Sequence, residues 1–381
     1  LTHYDGSLTD WAREAGAVGR TLQKHADRFL QSKPTPAQVA ILHDPATFIQ
    51  THGEGDVGIY LNSVRGLYRA LFRANVPADF ITPEQLLDAD LAPYKAIYLP
   101  FAYVLSPQEG KRLADYVDNG GHLFAGLFCG FKDRRTLLYE TVPGAGLADL
   151  FRCKQLLVNP VGKAPLTITD PGTLIPSLPA GTTLPVHRYR ERLDLLPGAN
   201  VLAVFDDGSP AIVAAARGKG RTLYVATLLS LHYDATGDAN THKLFLDFAH
   251  AAGVRPPVTL AHAPNTASSE TSSPTAAPEG VSLAPPAPGF LEARSLDGPQ
   301  GRTVILLNHS DTPVAVNVTL QCPPAATIMN LLTGQPVPAS PHADQPTPAG
   351  QPTHATPADP DRTFSLTLPP QNVAVLAISP P

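Results

Sequence analysis

Two rhythms of apolar residues divide this sequence. Before Pro256, short apolar runs alternate with stretches whose apolar residues recur every third or fourth position, and after Gly289 they recur at every second position. The stretch from Tyr94 to Gly130, YKAIYLPFAYVLSPQEGKRLADYVDNGGHLFAGLFCG, holds the first rhythm in one unit. Ala96 to Leu99 is a short apolar run, and Ser106 stands three residues before Glu109 with Pro107 at the first helical position. That combination is a capping box plus the favoured proline site, so a helix starts there. Leu113, Tyr116 and Val117 share one face, and Asn119-Gly120-Gly121 supplies a left-handed stop. Leu123 to Phe128 is apolar on both faces, as a strand covered from both sides must be. Strand, helix and strand predict a parallel crossover.

The same reading extends in both directions. Ser7 and Asp10 form a capping box, and Leu8, Trp11, Ala15, Val18, Leu22 and Phe29 draw one stripe along a first helix, with Trp11 as its anchor on a neighbour. Val39 to His43 reads as a buried strand, Asp56 to Asn75 as a helix, Ala78 to Ile81 as a strand, and Pro83 opens another helix. Repeated alternation of this kind predicts a doubly wound α/β sheet. Pro143 to Thr183 loosens into turns and short strands. Val201 to Phe205, Pro210 to Ala216 and Thr222 to Leu228 then predict an antiparallel extension through turns at Asp206-Asp207-Gly208 and Gly218-Lys219-Gly220, and Asp238 to Ala252 predicts a closing helix. Residues 258–288 read as a linker, its serine-, threonine- and proline-rich part running from Ala263 to Pro288. Residues 289–381 read as a small antiparallel β-sandwich interrupted by a disordered loop over 340–361.

Composition narrows the classes of function. The net charge of -5 comes without a lysine and arginine block, which argues against nucleic acid or an acidic membrane surface as partner. Prolines number 41, about twice the usual share, and most fall after Pro256. Cys129, Cys153 and Cys322 lie far apart without CxxC spacing, which argues against a zinc knuckle or a disulfide framework and fits a reducing, cytoplasmic compartment. No apolar run approaches transmembrane length. The chain begins at Leu1, not methionine, and an upstream continuation is expected.

Candidate chemistry is sparse. His43 and Asp44 leave the carboxyl end of a predicted parallel strand, where α/β sheets bind ligands, although a turn with an aspartate bonding nearby backbone is the commoner arrangement. Cys129 ends a buried strand at a glycine turn, with His232 and Asp234 available as base and orienting acid, the arrangement of a cysteine hydrolase or class I amidotransferase. An elbow centred on Cys129 needs small residues near G-x-C-x-G, yet Phe128 abuts it and Gly130 follows directly. The glycines at 120, 121, 126 and 130 fit no phosphate-binding spacing. His242 and His250 lie on one predicted helix without partners at ligand spacing and are expected to face solvent. The carboxylate pairs Asp206 with Asp207 and Asp88 with Asp90 sit in turns or on helix edges, with nothing beside them to separate their pKa values. Asn308-His309-Ser310 and Asn317-Val318-Thr319 match the glycosylation pattern, which often arises by chance.

Taken in order, HYDGSLTDWAREAGAV, VAILHD, YKAIYLPFAYVLSPQEGKRLADYVDNGGHLFAGLFCGFKD, PGAGLADLF, GKGRTLYVAT and AAGVRPP resemble the C-terminal part of a family 42 glycoside hydrolase, the β-galactosidases. VILLNHSDTPVAV, NLLTGQ and LPPQNVAVL are similar to that family's small C-terminal domain. The resemblance implies an amidotransferase-like (flavodoxin-like) α/β domain over 33–257 that assembles a homotrimer and lacks amidotransferase chemistry. It also implies a first helix over 1–32 that follows a catalytic barrel. In that family the barrel carries a glutamate acid/base and a glutamate nucleophile that hydrolyse terminal β-D-galactosides with retention. No catalytic, binding or metal position of the family maps onto this chain, no cofactor is implied, and the galactoside is met only through the barrel. Two other readings remain beside it: a standalone interaction or glycan-binding module, and a cysteine hydrolase using Cys129 and His232.

Overall fold

The computed structural model describes residues 2–160, 165–262, 291–323, 325–337, 361–369 and 372–380. They form two compact units, one of Ala37–Arg255 and one of Leu1–Pro36 together with Pro256–Pro381. The expected linker from Ala263 to Pro288 and nearly all of the loop over 340–361 lie outside the described residues.

Helix α1 (Asp10–Lys24) opens the chain, and its cap is Thr9, not Ser7: the Thr9 side chain accepts from Ala12 N. The Ser7 hydroxyl donates instead to Asp5. His25 breaks the stripe, and a short α2 (Ala26–Leu30) follows, then β1 (Lys33–Pro34). Trp11 does not act as a buried anchor; it is 65% exposed.

The larger unit is built on a nine-stranded mixed sheet. Its first half alternates β2 (Val39–Leu42), α3 (Pro45–Gly53), α4 (Ile59–Arg73), β3 (Ala78–Ile81), α5 (Pro83–Asp88), β4 (Ala96–Leu99), α6 (Pro107–Asp118) and β5 (His122–Ala125). Its second half runs α7 (Leu147–Phe151), β6 (Cys153–Pro160), β7 (Leu166–Ile168), β8 (Thr183–Leu184), β9 (Tyr189–Leu195), β10 (Asn200–Val204), β11 (Pro210–Arg217), β12 (Gly220–Val225), α8 (Leu229–Thr236) and α9 (Ala239–Ala251). The sheet order is β3-β2-β4-β5-β12-β11-β10-β7-β8. Pairs from β3 to β12 are parallel, and those beyond β12 are antiparallel, as the hairpin turns require. Strands β6 and β9 form a separate two-stranded ribbon, which a bridge between Arg190 and Thr227 joins to the chain just after β12.

The capping box at Ser106 and Glu109 forms as the spacing requires, and β2 and β4 are buried along their whole length. Tyr98 and Phe124 are register partners whose rings meet Phe248 of α9, while Tyr224, on the opposite face of the sheet, meets Phe151 of α7. Helices therefore cover both faces. Strand β5 stops at Ala125, short of the expected Phe128, because the chain turns sharply after it.

In the other unit, β13 (Val258–His262), β14 (Leu291–Gly298), β15 (Gly301–Asn308), β16 (Val314–Gln321), β17 (Thr327–Asn330), β18 (Gln335–Pro336), β19 (Asp361–Leu368) and β20 (Val373–Ser379) form two antiparallel sheets, β1-β14-β15-β20-β17-β18 and β13-β16-β19. Val304, Leu306, Val316, Val318 and Leu376 share one core between them. Residues 258–262, read from sequence as the start of the linker, are thus a paired strand: Val258 is buried against this core and Leu260 packs on it. Arg28 of α2 is tied to the larger sheet by bonds to Gln300 O at 2.8 Å and Ser379 Oγ at 2.9 Å.

Candidate functional site

Ligands of open α/β sheets sit beyond the carboxyl ends of the parallel strands, where the strand order reverses. Here that point lies between β2 and β4, since β3 flanks β2 on the other side. Asp44, directly after β2, is buried and caps α3: its Oδ1 accepts from Ala46 N at 3.0 Å and its Oδ2 from Thr47 Oγ1 at 3.0 Å. Arg134 reaches in from the loop after β5, donating to both Asp44 oxygens at 2.9 Å and to Glu109 Oε1 at 2.7 Å. Glu109 is itself buried in the cap of α6, where Ser106 N–H donates to it at 2.8 Å. One guanidinium thus compensates two buried carboxylates and links two helix N-termini across the crevice. Beside them the Tyr60 hydroxyl accepts from Asp44 N and meets His43 Nδ1 at 3.0 Å. The polar groups at this edge bond one another.

The turn after β5 has the geometry of a nucleophile elbow, with a different residue at its apex. Phe128, not Cys129, takes the left-handed conformation, with φ of 65°. Glycines stand two positions to either side, in the register G-x-F-x-G. Both are needed: a Cβ on Gly126 would lie 2.8 Å from Pro100 O, and one on Gly130 would lie 2.9 Å from Gly144 N. Cys129 points into the core, where burial, then the neighbouring Glu191 and Cys153, push its thiol far above the usual range. That is the opposite of an activated thiolate. The cysteine hydrolase reading fails here for a second reason. His232 packs edge-on against His187 with centroids 5.3 Å apart, and no hydrogen bond or ring contact joins it to Cys129. Asp234 is held by Arg65 and Arg69.

Glu191, on β9, fills the space behind the elbow. Its Oε1 accepts from Phe128 N–H at 3.0 Å and its Oε2 from the Tyr224 hydroxyl at 2.6 Å. Complete burial pushes its carboxyl up to about 7, and the two bonds only partly oppose this. Sequence reasoning missed Glu191, although alternation along YRERLDL places it on one face with Tyr189, Leu193 and Leu195, a lone carboxylate on an apolar stripe. In front of the turn lies an aromatic plate. Phe128 meets Phe131 at 5.2 Å, Tyr103 and Tyr189 at 5.9 Å and Phe101 at 6.1 Å, each nearly edge-on.

The remaining candidates take structural places. Asp206 and Asp207 both pair with Arg190. His242 is not solvent-facing; it stacks on Tyr233, and burial lowers its pKa to about 4, whereas His250 is exposed. Asn308 is buried with its Nδ2 donating to Thr312 O, Leu368 O and Pro369 O, which leaves no room for a glycan. Among the described residues no group of three or more His, Cys, Asp or Glu is placed to hold a metal ion, and no helix is long and apolar enough to cross a membrane.

The sequence model of the β-galactosidase trimerisation domain matches residues 37–255, more than half of the chain and the same span as the larger compact unit. The chain belongs to that family. Its relatives include the β-galactosidase BglY of Alicyclobacillus acidocaldarius, 27% identical over 270 residues that make up 67% of this chain and 36% of BglY. The β-galactosidase of Bacillus circulans sp. alkalophilus superposes with a TM-score of 0.70 at 18% identity, over 99% of this chain and 46% of that one. Gan42B, a GH42 β-galactosidase from G. stearothermophilus, does so with a TM-score of 0.70 at 18% identity, over 100% of this chain and 45% of that one. These structures share the fold of this trimerisation-domain chain, which spans less than half the length of each relative.

Proposed function

We propose that this chain is the oligomerising and C-terminal region of a cytoplasmic β-galactosidase that hydrolyses terminal β-D-galactosides with retention. Catalysis resides in a barrel of the same polypeptide, upstream of the first helix. The α/β region over 33–257 is then an amidotransferase-like, doubly wound sheet kept for assembly into a homotrimer. The antiparallel unit, whose sheets include β1 and β13, is a small sandwich. The observation that carries this reading is the carboxyl edge of the sheet: its elbow presents Phe128 where a nucleophile would stand, and its crevice is closed by Asp44, Arg134 and Glu109. A fold that keeps the elbow and packs its chemistry away suits a scaffold. The family match supports assembly as the task that remains.

The test is direct. Purified chain 1–381 is expected to leave a chromogenic β-galactoside intact and to sediment as a trimer at micromolar concentration. Turnover that persists through purification would place catalysis within these residues, and a monomer would remove the assembly role.

A further inference from the structure

A three-fold ring closes through a heterologous contact, in which one patch of each copy meets a different patch on the next. The larger unit therefore needs two unlike surfaces that fit each other. We infer that these are the loop carrying Leu137, Leu138 and Glu140 and the β6–β9 ribbon carrying Leu156, Leu157 and Arg192, with a second copy of this chain as the occupant of each. The inference rests on the assembly reading and adds the faces that carry it.

The ribbon is an unusual place for leucine. Leu157 is the register partner of Arg192, so both side chains stand on the same face, the one turned away from buried Glu191 and Leu193. A bulge between Gln155 and Leu157 leaves Leu156 outside the ladder, and the two leucines are 61% and 50% exposed. Apolar neighbours held out together in this way mark a contact surface.

The loop after the elbow presents its leucines from a rigid frame. Asp133 Oδ1 accepts from Arg135 N at 2.8 Å and Leu137 N at 3.0 Å, and Asp133 N donates to Leu137 O at 2.8 Å. Those bonds hold the Asp133 carboxyl below its ordinary range, led by the one from Leu137. Arg134 anchors the loop in the crevice, and the Tyr139 hydroxyl donates to Leu105 O at 2.9 Å. Thr136 sits between them at φ of 65°, a conformation that a β-branched residue seldom holds. So pinned, Leu137 and Leu138 remain 56% and 61% exposed. A surface ordered in advance loses little entropy on docking.

Charge sets the pairing. Glu140 beside the loop leucines and Arg192 beside the ribbon leucines are exposed, and neither has an ion-pair partner among the described residues. Among the neighbouring charges, Arg135 pairs with Asp133, Lys154 is the register partner of Asp194, and Arg190 pairs with both Asp206 and Asp207. Glu140 and Arg192 are thus exposed charges of opposite sign beside the two leucine pairs, which favours loop against ribbon over either patch against itself.

Sedimentation equilibrium on the full chain tests this. Leu157→Asp and Leu138→Asp are each expected to weaken the trimer about a hundredfold or more, with the circular dichroism of the folded chain unchanged. Met329→Asp, at an exposed apolar position of the antiparallel unit, should leave it intact. Glu140→Arg and Arg192→Glu should each weaken the trimer about tenfold, and the double reversal should restore it to within about threefold. A trimer untouched by the leucine variants would overturn the assignment of faces while leaving assembly standing. Two weakened single reversals without recovery in the double would overturn the pairing of Glu140 with Arg192. A monomeric wild-type chain would overturn both the faces and the assembly reading.

Discussion

The turn at Phe128 and the loop at Leu137–Leu138 follow each other along the chain, and the fold treats them in opposite ways. At the turn, every group that suggests chemistry is occupied: the thiol of Cys129 is buried, the carboxyl of Glu191 is bonded and the apex is an aromatic ring. At the loop, apolar side chains that a monomer would bury are held out in water by a polar frame. The contrast teaches that elbow geometry does not by itself make a reactive site, while exposed apolar side chains on a rigid frame beside it offer a surface for contact.

The strongest way to break this contrast is to ask whether Cys129 reacts. A thiol buried in the main core is reached only by large-scale opening, so alkylation of Cys129 in the native chain should be slower than in the unfolded chain by roughly a thousandfold or more. Mass spectrometry after a brief iodoacetamide pulse reads this out. Rapid labelling of Cys129 near neutral pH would restore the nucleophile.

Next in size is the plug in the crevice. Arg134→Ala strands buried Asp44 and Glu109 without their shared cation and should lower the unfolding free energy by about 3 kcal/mol in urea melts. Neutralising both carboxylates in that background, with Asp44→Asn and Glu109→Gln, should recover part of the loss. A loss below about 0.5 kcal/mol would make the network a surface feature and leave the crevice open to ligand.

The smallest expected effect depends on pH. Glu191 titrates near 7 in the fold and near 4.5 when exposed, so the folded state keeps a proton that the unfolded state releases between those values. Stability from this group is present below pH 4.5, falls as pH rises towards 7 and stays low above it. Glu191→Gln removes that dependence. The variant should be more stable than wild type by about 2–3 kcal/mol at pH 8 and nearly equal to it at pH 4.5, by thermal melts at both pH values. An equal shift at both would mean that Glu191 does not titrate in this window.

Local signals in the sequence were enough for the parallel half of the sheet. Ser106, Pro107 and Glu109 mark a helix start by themselves, and the runs at Val39 and Ala96 are long enough to be buried strands. What escaped was set by distant partners. The β6–β9 ribbon pairs Cys153 with Leu195, and its bulge breaks the alternation that would have announced a strand. Arg134 looks like any loop arginine until Asp44 and Glu109 converge on it from two other elements. Register alone would have placed the elbow on Phe128, since Gly126 and Gly130 flank it symmetrically; the attraction of a cysteine hid that.

The central claim, that this chain is an assembling scaffold, is tested most directly by the mass of the purified 381-residue protein in solution at micromolar concentration. The account predicts a species three times the 40.3 kDa chain mass. A single 40.3 kDa species that persists as the concentration is raised would contradict it.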